Sequence, residues 1–132
     1  MKKNIQAGKL EVKKFLPGIA WFFILLILIC LPGKDIPHTA WLDGLSFDKF
    51  VHCFLFGMLV ALFCFPFKTT SLPGAEKARW FLKITLSTVV WGITTELIQK
   101  YFVVGRQFDW FDWLADSIGA FVAFYFCRKY FL

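Results

Sequence analysis

The sequence predicts an all-α protein, a transmembrane four-helix bundle with its N-terminus and C-terminus both cytoplasmic, and three observations carry that expectation. The 132-residue chain is 58% hydrophobic and 20% aromatic, more apolar surface than a water-soluble domain of this size can hide. The apolar residues fall into four blocks near the ~20 residues that cross a ~30 Å hydrocarbon core. Lysine and arginine gather at alternate ends of those blocks, the asymmetry that sets membrane orientation.

The first block covers about residues 15–31, is wholly apolar from 19 onward, and stops at Pro32 and Gly33. A cleaved signal is the alternative here, because a lysine-rich lead precedes the block and His38-Thr39-Ala40 faintly resembles a cleavage site. Against it, the lead is long and the apolar run exceeds the roughly 7–15 residues of an h-region. The second block covers about 47–67 and the third about 80–102, with Pro66 and the Leu72-Pro73-Gly74 turn between them. The fourth covers about 109–127. Only helices suit such segments, since an open strand leaves backbone groups unpaired in lipid. The chain reads as one domain, without an internal repeat.

With the N-terminus inside, the inner segments hold eleven basic residues: Lys2, Lys3, Lys9, Lys13, Lys14, Lys68, Lys77, Arg79, Lys83, Arg128 and Lys129. The outer segments hold four, Lys34, Lys49, Lys100 and Arg106. That bias places both termini in the cytoplasm and the chain in the cytoplasmic membrane as a multi-pass protein. In the outer loop, about 32–46, Trp41 is an expected interfacial anchor. The net charge of +6 flanks the apolar blocks and forms no stripe on a polar surface, which argues against a nucleic-acid partner. Cys30, Cys53, Cys64 and Cys127 have neither CxxC nor zinc-finger spacing and read as small packing residues. A Cys30–Cys53 disulfide is open but not indicated.

Glu11 and Glu76 belong to the inner side, and the other seven acids fall on or near the outer one. Asp48, Lys49 and His52 open the second helix; Glu96 and Gln99 lie near the end of the third; Arg106 is in the next connection; Asp109, Asp112 and Asp116 open the fourth. The spacings i,i+4 for Asp48 and His52, i,i+3 for Glu96 and Gln99, and i,i+3,i+7 for the three aspartates give each helix one polar face. On the fourth helix that face continues as Gly119 and Ala123, small enough to admit a neighbouring helix. Asp109 and Asp112 suit a helix N-terminus and Asp48 can cap the second helix, so structure alone accounts for these three. Glu96 approaches a helix C-terminus, where the dipole opposes an anion, so it should seek Arg106 or Lys49 or hold a proton. His52 near a helix start should be a neutral imidazole, and Asp116 is the deepest carboxylate. These last three are the stronger functional candidates.

The order Asp48-Lys49-x-x-His52, Glu96-x-x-Gln99, Gly105-Arg106 and Asp112-x-x-x-Asp116-x-x-Gly119 resembles the VanZ-like family of small bacterial membrane proteins, over roughly residue 48 to the C-terminus. The resemblance implies a cell-envelope role linked to glycopeptide (teicoplanin-type) antibiotic resistance. Asp116 stands where the family commonly has asparagine, which disfavours an anionic ligand and favours a cation or proton. Three functions remain open. The first is a polar pocket at the outer face, formed by Asp48, Lys49, His52, Glu96, Gln99, Arg106, Asp109, Asp112 and Asp116, that binds a lipid headgroup or a lipophilic antibiotic. The second is a membrane-embedded enzyme with His52 as general base and Glu96 or Asp116 as acid or metal ligand, although no nucleophile motif accompanies them. The third is an ion-pair network that only fixes helix register, pairing Glu96 with Arg106 and Lys49 with Asp48 or Asp112. No metal site and no cofactor is assigned. A homo-oligomer is compatible with the sequence, since four helices would need to dimerise to form a transport path.

Overall fold

The computed structural model describes residues 8–32 and 47–132. The expected anchor Trp41, the loop of residues 33–46 with Lys34, the cleavage-like His38-Thr39-Ala40, and Lys2 and Lys3 lie outside the described residues. Within them the chain is helical, without strands. A 3-10 turn, Val12–Phe15, leads into α1, Leu16–Ile29. Then come α2, Phe47–Cys64, extended by a 3-10 segment Phe65–Thr69; α3, Gly74–Phe102; and α4, Trp110–Phe131.

Local chemistry explains the ends. Pro17 stands in the first turn of α1, where its missing N–H loses nothing. Pro66 cannot continue α2 as an α-helix, and the chain tightens to 3-10 there. The start of α3 departs from expectation: it begins at Gly74, not near residue 80. Ala75 to Arg79 are good helix formers with Glu76 in the first turn, and the N–H groups of Glu76 and Lys77 donate to the Pro73 carbonyl at 2.9 and 3.0 Å. Hydropathy excluded this turn because it is charged, but a charged turn can project beyond the hydrocarbon. Likewise α4 runs past Cys127 to Phe131, with Arg128 and Lys129 in its last turn, where the dipole favours cations.

Three helical stretches, Val12–Ile29, Phe47–Thr69 and Gly74–Phe102, are long and apolar enough to cross a membrane. Their outer surfaces agree: Phe23, Ile27, Phe54 and Val90 are exposed while glutamate, aspartate and threonine are buried. This inversion of the water-soluble pattern marks a membrane protein. α4 is 22 residues long but carries Asp112 and Asp116, and is not among the three.

Successive helices run antiparallel, so α2 and α4 lie parallel, with Lys49 beside Asp112 at one end and Phe65 beside Phe131 at the other. α2 packs most extensively on α4, which also meets α3; α1 lies against α2 and touches α3. The α2–α4 contact depends on two glycines. A Cβ on Gly119 would collide with the Cys53 carbonyl, and one on Gly57 would stand 3.0 Å from the Gly119 carbonyl oxygen. The close approach expected from Gly119 and Ala123 is therefore present. α1 is fastened by the Trp21 indole N–H, which donates to the Leu55 carbonyl at 2.9 Å, and by Leu25 and Ile29 packing on Leu55, Phe56 and Leu59. All four cysteines are free thiols.

Candidate functional site

The starts of α2 and α4 and the end of α3 meet at one end of the molecule, and their polar side chains form three levels. At the exposed rim, Lys49 donates to Asp48 at 3.1 Å and to Asp109 at 2.9 Å, and pairs with Asp112. Asp109 is also the N-cap of α4, accepting from the Phe111 N–H at 2.8 Å. One turn deeper, His52 lies between two aspartates, with Nε2 3.6 Å from Asp112 and Nδ1 2.7 Å from Asp116. At the floor, Glu96 and Asp116 have no exposed surface.

The partner of Glu96 is not the expected one. No ion pair joins it to Arg106 or Lys49; instead its Oε2 accepts the Asp109 backbone N–H at 3.0 Å. The physical reason is that the close of α3 sits against the opening of α4, so Glu96 meets the positive end of the next helix dipole. Its own helix end matters less than the neighbouring helix start. Arg106 is half-buried in the connection, where Gly105 supplies a left-handed turn at φ 77° that other residues rarely adopt. Gln99 departs as well: its amide donates to the Ile29 carbonyl at 3.1 Å, tying α1 to α3. Asp48 is exposed and contributes only to the Lys49 pair.

The structure thus brings Lys49, His52, Glu96, Asp109, Asp112 and Asp116 together, with Asp48 at the edge, while Gln99 ties α1 to α3 and Arg106 stays in the connection. His52, Glu96 and Asp116 are buried below the exposed rim, where the glycine seam draws α2 and α4 together. A further contributor is Gly92, one turn before Glu96 on the same face of α3. A Cβ there would stand 3.2 Å from Asp116 Oδ2 and 3.1 Å from the Trp113 ring. Its i,i+4 relation to Glu96 was the available signal.

Electrostatically the site is acidic: Asp48, Glu96, Asp109, Asp112 and Asp116 face one lysine and one histidine. Among the described residues, Glu96 Oε1 and Asp116 Oδ2 are buried without a hydrogen-bond partner. One donor atom from each of His52, Glu96 and Asp116 lies within 4.8 Å of the others, a spacing that permits shared coordination of an ion. No protein-family model matches the chain, and no curated protein or solved structure matches it either.

Proposed function

We propose that this is a four-span protein of the cytoplasmic membrane, with both termini on the cytoplasmic side, whose outer rim binds the polar head of an amphiphile. The carrying observation is the pair of acids at the rim, Asp48 and Asp109, whose side chains are 62% and 41% exposed while sharing one lysine. Carboxylates in excess over cations favour a head rich in hydroxyl or amine donors over an anionic one. Amine-bearing phospholipids and the sugar-peptide portion of a lipophilic glycopeptide both offer such donors. Membership of the VanZ-like family and a link to teicoplanin-type resistance belong to the same proposal. They are supported by the order of motifs from Asp48 to Gly119 and by an acidic site at one end of a membrane protein. The four-span topology is supported by the antiparallel helices and by basic residues collected at the end opposite the acids.

The test is native mass spectrometry of the full chain in micelles holding equal amounts of phosphatidylethanolamine and phosphatidylglycerol. Preferential retention of the amine lipid, lost in an Asp48→Asn/Asp109→Asn variant, is expected; equal retention of both lipids sinks the reading. A second reading, a membrane-embedded enzyme, is favoured by one contact. Asp116 lies 2.7 Å from His52 Nδ1, as a carboxylate does when it orients an imidazole that takes a proton through its other nitrogen.

A further inference from the structure

The geometry points to a metal centre under that rim: His52, Glu96 and Asp116 bind one divalent transition-metal ion of the zinc or manganese class. Their donor atoms come from three different helices and lie within 4.8 Å of one another. Donors ~2.0–2.2 Å from a tetrahedral ion stand roughly 3.4 Å apart, so a contraction of at most about 1.4 Å closes the set. His52 Nδ1 and Asp116 Oδ1, 2.7 Å apart as hydrogen-bond partners, would open to that separation on binding.

Two observations beyond the clustering call for an occupant. Glu96 Oε1 and Asp116 Oδ2 are both fully buried without a partner, a state that native interiors avoid. Asp116 Oδ2 is aimed at α3, beside Gly92 and one turn from Glu96, where a side chain at residue 92 would obstruct it. One cation shared by the two carboxylates would compensate both groups.

Charge gives the same answer. Two carboxylates and a neutral imidazole sum to −2, and a dication makes the set neutral where an uncompensated charge is costly. Lys49 does not perform this task, being held by Asp48, Asp109 and Asp112 above. A mixed nitrogen and oxygen set suits zinc or manganese, whereas magnesium prefers oxygen ligands and retains several waters. Three protein ligands leave an open position, and Asp112, 3.6 Å from His52 Nε2, is placed to act through His52 as a positioning residue. The inference deepens the rim reading by naming what fills the floor, and the metal site itself requires no amphiphile.

The test uses the full chain in mild detergent, loaded with Zn2+ or Mn2+, freed of excess metal and measured by elemental mass spectrometry. About one ion per chain is expected, with a higher unfolding midpoint than in chelator-treated protein and no such rise with Mg2+ or Ca2+. Glu96→Gln, Asp116→Asn and His52→Ala should each weaken binding by at least about tenfold, while Glu76→Gln at the far end should not. A wild-type chain that stays metal-free after loading overturns the inference, as does full affinity in the Glu96→Gln/Asp116→Asn variant. Should the variants aggregate, the wild-type metal content and thermal shift decide alone. Failure of lipid selectivity with metal retained would reject the rim reading only, and the reverse result would reject only the centre.

Discussion

The two ends of the molecule use charge in opposite ways. At the end carrying the Phe65–Thr69 segment and the close of α4, the cations lie on aromatic rims over an apolar interior. Lys68 stands 5.5 Å from the Phe131 ring and Arg128 5.8 Å from Phe124, while Val60, Cys64, Phe67, Phe81 and Cys127 fill the core. Lys14 reaches Thr69 at 2.9 Å near the surface, and even buried Lys77 rests its ammonium on a backbone carbonyl. At the other end, the acids turn inward and displace the apolar core. Basic residues can orient a helix from its surface, whereas a carboxylate placed under the helix ends is unfavourable unless something binds it. On the proposed function, the difference separates residues that set topology from residues that hold a ligand.

The largest expected effect tests the seam that allows the acidic end to close. Gly119→Leu should separate α2 from α4 and cost more than about 3 kcal/mol, seen as loss of monodisperse protein and a lower unfolding midpoint. Recovery of normal yield and midpoint would mean the helices do not meet through Gly119. Next, His52→Ala should destabilise the chain by about 3 kcal/mol, because Asp116 then loses the one hydrogen-bond partner it has among the described residues. Replacing His52, Glu96 and Asp116 together by Leu, Met and Leu should leave stability unchanged or raised, as apolar replacement of buried charge often does. If the triple variant instead unfolds, the cluster serves packing and the contrast between the ends collapses.

Smaller effects sharpen the comparison. Asp109→Ala removes the N-cap of α4 and should cost about 1 kcal/mol. Lys14→Ala at the basic end should cost no more than about 0.5 kcal/mol, since its pair with Glu11 is solvent-screened. Topology gives a further check without an energy scale. Single cysteines at Glu11 and Asp48, in a background free of the native four, should react with an impermeant thiol reagent from opposite sides of the membrane. Labelling from one side would remove the proposed orientation.

Much of this was legible in the residues. The apolar blocks anticipated the helices because burial in lipid is read from composition, and the i,i+3,i+7 aspartates anticipated the inward face of α4 because helical spacing is local. Lys49 found Asp48 and Asp112 as expected. What escaped was partner choice between helices. Glu96 was assigned by the dipole of its own helix, yet its position is decided by the Asp109 N–H of the next, a contact that exists only once α3 and α4 are antiparallel. Gln99 reaches the Ile29 carbonyl, whose freedom follows from α1 ending there. Gly92 matters only because Trp113 and Asp116 press against it.

The bond from Glu96 to the Asp109 N–H makes one planar group a lever between the interior and the hairpin joining α3 to α4. Trp110 is the next residue and lies edge-on to Phe108, their centroids 4.7 Å apart. An ion taken up at the proposed centre would engage that carboxylate, which is bonded one residue away from the exposed Trp110 indole. If the proposed metal centre fills, emission from Trp110 should change with it, a readout that needs no attached dye.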